Sequence, residues 1–135
     1  MATYTKIDSF VENLAEKMID LGGTGLTIAL TNTAHTAAWD ELADLTEVSY
    51  TNLSSRVITV ASSAQTSGTY KLVLTDLVLT ASGSVGPFRY IYIYDDASTN
   101  DKLICYYDYG SSISMSSGET FTIDFDGSAG VLTLA

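Results

Sequence analysis

The sequence predicts an all-β domain: a mainly antiparallel sandwich of jelly-roll-like type, with about eight strands and one N-terminal amphipathic helix. Three observations predict it. After Gly25 the apolar residues recur at a period of two, as in LTIALT and FRYIYIY. The stretches between them, SSAQTSG, ASGSVGP, DDASTND, GSSISMSSG and DGSAG, are turn chemistry: Gly supplies positive φ, and Ser, Asn and Asp cap local backbone groups. No helical pattern is interleaved among these strands, which argues against parallel βαβ units. Jelly roll, immunoglobulin-like sandwich and small barrel all fit the pattern. The 135 residues read as a single domain, 1–135, with the helix over about 8–21 and the sandwich over about 25–135.

The helix is predicted from Phe10, Leu14, Met18 and Leu21 at helical spacing, with Val11 and Ala15 widening the stripe. Ser9 and Glu12 have the spacing of a capping box, and Gly22–Gly23 supply the stop. Residues 2–6 ahead of it read as an arm reaching a neighbour. A half-buried strand follows over 26–30, then a polar loop over 32–38. A short helix is predicted over 39–45 and a short strand over 47–51.

Further strands are predicted at 56–61, 69–80, 88–94, 103–109, 119–125 and 131–134. Asp76 interrupts the long 69–80 run and marks a bulge or an edge. Pro87 is the only proline, and it opens a strand, where its missing amide is not needed. The DFDGSAG segment reads as a tight hairpin between the last two strands.

Composition narrows the function. Charged residues are 16% of the chain, below the usual quarter, and Ser and Thr take their place. Hydroxyls are cheaper to desolvate than charges, so this surface suits contact with other protein. The net charge of −10 repels phosphate backbones and anionic membranes, so neither nucleic acid nor membrane is an expected partner. The acidity itself is read as a solubility device, with steering toward a basic partner as the second reading. Cys105, the one cysteine, reads as a small core residue. The N-terminus lacks the layout of a signal peptide, and no run approaches a membrane span, so a soluble protein made in a reducing cytosol is expected.

Catalytic chemistry finds no footing. His35 lies alone in TNTAHTAA and reads as an exposed loop residue, without a nucleophile nearby. One His and one Cys fall short of a structural zinc set. LGGTGL ends a helix instead of opening one, so its amides face away from an anion. Asp124, Asp126 and Gly127 resemble the start of a calcium loop, but the closing Glu is missing. Asp95, Asp96, Asn100 and Asp101 read as a solvated hairpin loop. A carboxylate pair for glycoside hydrolysis has nothing specific to support it. No catalytic, cofactor-binding or metal-binding residue is therefore assigned.

The tyrosines are the distinctive feature. Tyr90, Tyr92 and Tyr94 share one face of a strand, and Tyr107 and Tyr109 share a face of its expected neighbour. Cross-strand packing is the first reading, oligomer contact the second and a carbohydrate platform the third. Trp39 is either a binding anchor or a cap on the end of the sandwich. Trp39, Tyr90, Tyr92, Tyr94, Tyr107 and Tyr109 are the candidate protein-interface residues.

The segments DSFVENLAEKMIDLG, LTIALTNTAHTAA, YTNLSSRVITV, QTSGTYKLVLTDLVLTASGSVGPFRYIYIYDD and SGETFTIDFDGSAGVLTLA together resemble a family of small structural proteins of tailed bacteriophages and prophages, encoded among head and neck genes. The resemblance runs from Asp8 to Ala135. It implies a non-enzymatic virion protein, made in the host cytoplasm. Its partners would be copies of itself, as a homotrimer, and the major capsid protein, whose outer shell it would stabilise as a cement or decoration protein. A tail, neck or head-fibre component contacting a host glycan is the alternative placement.

Overall fold

A computed structural model describes residues 2–135. Its elements in chain order are β1 (Thr3–Lys6), α1 (Phe10–Ala15), β2 (Leu26–Thr31), a 3₁₀ turn at Leu42–Asp44, β3 (Val60–Thr66), β4 (Thr69–Leu74), β5 (Leu77–Thr80), β6 (Val85–Asp95), β7 (Lys102–Met115), β8 (Thr120–Ile123) and β9 (Leu132–Leu134). All strand pairs are antiparallel. They form a four-stranded sheet in the order β1-β7-β6-β2, a three-stranded sheet β3-β4-β9 and a pair β5-β8. One apolar core joins them: Ile28, Leu30, Ile91 and Ile93 of the large sheet cluster with Leu72, Leu74, Leu79 and Ile123 of the other two.

The helix is much shorter than the pattern predicts. It spans six residues and ends where Lys17 takes a left-handed conformation, φ 67°. Met18 N–H then bonds to Asn13 O and Lys17 N–H to Leu14 O, a Schellman closure with Lys in place of Gly. Gly22 and Gly23 stand in the loop beyond. The capping box is also absent: Ser9 Oγ donates to Asp40 Oδ1 instead of capping its own helix. Released from the helix, Ile19 and Leu21 are free to enter the core.

The segment ahead of the helix is strand β1, paired with β7 of its own chain and not extended as an arm. Strand β2 is buried on both faces, where a half-buried strand is expected. The reason is long-range. Ile58 N–H bonds to Leu26 O, Ile28 N–H to Arg56 O and Val48 N–H to Leu30 O, so residues 47–58 cover its outer edge. Gly25, just before β2, passes so close to the 95–97 turn that a Cβ there would lie 2.7 Å from the Asp95 carboxylate.

Several further boundaries move. The 69–80 run splits at Asp76 into β4 and β5, which belong to different sheets. Asp76 Oδ1 accepts the Phe125 N–H at the crossing point. Strand β3 begins later than predicted and runs through SSAQT, and β7 continues through SSISM; both stretches resemble turns in composition. The 124–131 segment is no hairpin, because β8 pairs with β5 while β9 pairs with β4. The 39–45 stretch contains a single 3₁₀ turn, and the 47–51 strand reduces to an isolated bridge between Thr31 and Glu47.

Candidate functional site

The large sheet separates the candidate tyrosines onto its two faces. On β6, Tyr90, Tyr92 and Tyr94 stand opposite Thr31, Ala29 and Thr27 of β2, large against small. This leaves room for the 32–58 segment to fold over them. They are 8%, 0% and 3% exposed. Cross-strand packing therefore describes these three, because the covering segment removes them from the surface of the chain.

The cover is specific. His35 Nδ1 lies 2.9 Å from the Tyr92 hydroxyl, and its ring stacks on Tyr106 at 4.6 Å. Tyr106, directly opposite Tyr92 in register, completes the ladder at 5.0 Å. Trp39, half-buried, meets the His35 ring edge-on at 5.5 Å. His35 is thus no free loop residue, and burial lowers its pKa, with Asp8 acting the other way. Nearby, Arg56 Nη1 donates to Ile28 O and reaches the Tyr94 hydroxyl, while its guanidinium lies 3.8 Å from the Tyr50 ring centroid.

A polar knot ties the helix to the sheet. Asp40 Oδ1 accepts Ser9 Oγ and Asn13 Nδ2, and its Oδ2 pairs with Lys102 Nζ. Lys102 also reaches Glu41 at 3.5 Å. Asn13 and Lys102 are buried polar side chains. Burial raises the Asp40 pKa, but these donors, Lys102 foremost, outweigh it and hold the carboxyl below its usual range.

On the opposite side, Tyr107 and Tyr109 are half-buried and line a groove of about 860 Å³. Tyr4 of β1 and Phe125, just after β8, supply further rings, with Tyr4 5.5 Å and Phe125 6.2 Å from Tyr107. Asp124 and Asp126 stand in the same wall. Asp126 Oδ1 accepts the N–H groups of Ala129 and Ser128, and these bonds hold its carboxyl below the usual range. Phenols are neutral near pH 7, and burial raises those of Tyr4, Tyr107 and Tyr109 further from ionisation. The groove therefore presents aromatic faces beside carboxylates. Among the described residues no group of three or more His, Cys, Asp or Glu converges as a metal site.

Sequence reasoning assigned Tyr107 and Tyr109 but missed Tyr4 and Phe125. Both are aromatic and lie in the first and last thirds of the chain, and only pairing of β1 with β7 brings Tyr4 against Tyr107. No family model matches the chain, and comparison with curated proteins and with solved structures finds no match.

Proposed function

We propose that the chain is a non-enzymatic structural protein of a tailed-phage virion, a cement or decoration protein that binds the outer face of the major capsid shell. It acts as a homotrimer, and it is carried in the virion after synthesis in the host cytoplasm. The resemblance running from Asp8 to Ala135 is one support. The observation that carries the reading is the groove: rings of Tyr107 and Tyr109 left half-exposed beside carboxylates, on a sheet whose opposite face buries Tyr90, Tyr92 and Tyr94. Tyr is favoured at protein contacts because it offers apolar area with a polar tip. Repeated around a shell, contacts of about 1,600 Å² each add up to substantial bracing. The shared core of the three sheets supports reading them as the layers of a jelly-roll-like sandwich.

The same groove favours one other placement, a tail, neck or head-fibre component that contacts a host glycan. Aromatic faces stack against sugar C–H groups, and carboxylates accept sugar hydroxyls. Quantitative stoichiometry on purified particles separates the two. Copy number close to that of the major capsid protein, or one trimer per local three-fold, supports cement. A few to a few dozen copies overturns it and favours the second placement, for which free protein should block adsorption.

A further inference from the structure

We infer that the groove receives a basic side chain, Arg or Lys, from an extended segment of a partner protein. The inference rests on the docking role proposed above and names the chemistry of that partner. Three aromatic rings, Tyr4, Tyr107 and Tyr109, meet Phe125 and the carboxylates of Asp124 and Asp126 in one concavity. The π faces of such rings attract a cation, most strongly where water is partly excluded. Asp126 is kept ionised by two backbone N–H donors, so one wall stays negative well below neutral pH. Lys71 is the cation nearby: its Nζ donates to Ser128 O at 2.9 Å, and its charge acts on Asp126, which leaves Asp124 as the carboxylate facing an incoming cation.

Charge decides against a second copy as the occupant. The chain carries 16 acidic and 6 basic residues. Arg89 is held in a two-bond pair with Asp108, and Lys102 by Asp40 and Glu41. Arg56 is fixed on Ile28 O and the Tyr50 ring. As an occupant of this groove a second copy thus offers only Lys6, Lys17 and Lys71, each carried on a surface with 16 acidic residues. A basic partner answers both the local carboxylates and the whole-molecule field. Anionic sugars and phosphates are disfavoured by the same field.

The test uses acetyl-Gly-Arg-Gly-amide titrated into the isotopically labelled full chain, followed by backbone amide shifts. Saturable shifts confined to 2–5, 107–110 and 122–131, weakening as ionic strength rises through about 0.15 M, are expected. Asp124→Asn should bind the peptide about tenfold more weakly. Glu12→Gln, an equal charge change on the exposed helix face, should not. Absence of saturable shifts overturns the inference, as does an equal loss in Glu12→Gln, which would mean diffuse attraction. Shifts of the same amides by methyl glucoside, with none from the peptide, overturn it in favour of a neutral sugar. The virion role fails separately: it is lost if the wild-type chain is absent from particles, whatever the peptide does. Particles that carry Asp124→Asn chain at wild-type copy number overturn the groove as the docking site while leaving that role standing.

Discussion

Tyr92 and His35, from β6 and from the loop that covers it, meet through a 2.9 Å contact between the phenol oxygen and Nδ1. The loop is thereby sealed onto a fully buried ring. The pairing works with neutral imidazole, and burial lowers the His35 pKa from its ordinary 6.5. Between that value and the lowered one, the unfolded chain binds the extra proton and the folded chain does not. His35 therefore costs stability as pH falls below about 6.5, and the loss levels off below its folded pKa. His35→Gln keeps a hydrogen-bonding side chain but does not titrate. Denaturant unfolding from pH 8 to 5 should show a steeper fall for wild type than for the variant. Equal slopes would remove His35 as the source.

The Asp40–Lys102 pair links residues 62 positions apart. Lys102 is buried, whereas Asp40 keeps about a third of its side-chain surface in water. Breaking a buried pair costs about 3–5 kcal/mol, and solvent screening at Asp40 reduces this to about 2 kcal/mol. Lys102→Met and Asp40→Asn should each lower unfolding free energy by about that amount, and the double variant should lose less than the sum. The Asp40 carboxyl is depressed in the fold, so its stabilisation is present above the unfolded value and is lost as pH falls through the folded one. Additive losses in a double-mutant cycle would show that the two side chains do not interact.

Lys17 closes the helix at φ 67°, where a Cβ is unfavourable. Glycine takes this conformation without that penalty, which is about 1 kcal/mol for other residues. Lys17→Gly should raise the melting temperature by about 3 °C. A fall would mean that the Lys side chain contributes more than the backbone strain removes.

Trp39 packs edge-on against His35 and is half-buried among the core residues. Its geometry favours the capping role over the anchor role. Trp39→Ala should cost about 2 kcal/mol, roughly half the loss for a fully buried aromatic, and should lower the melting temperature of the isolated chain. An unchanged melting temperature with lost particle incorporation would restore the anchor.

Much of this fold is legible in local pattern. The alternations LTIALT, FRYIYIY and LICYYDY locate β2, β6 and the first half of β7, and burial raises the Cys105 thiol to about 12, as a small core residue requires. The groove is only half legible: Tyr107 and Tyr109 share a face by period alone, but Tyr4 arrives from β1, and Phe125 and the two carboxylates from the segment just after β8.

The sequence by itself determined the all-β class, the antiparallel character and the strands whose two faces differ in polarity. Only the tertiary structure decided what covers each face and which strand lies at each edge. Thr27, Ala29 and Thr31 look solvent-facing because they are small or polar, yet they are buried, since their size makes room for three tyrosines and a covering loop. Gly22–Gly23 look like the helix stop, yet the chain leaves the helix at Lys17 and carries Ile19 and Leu21 into the core. The crossing from β8 to β9 resembles a hairpin until pairing with β5 and β4 separates the two. A local pattern records how a residue meets its neighbours in the chain. Burial and strand pairing depend on contacts made across it, and those override weak local preferences.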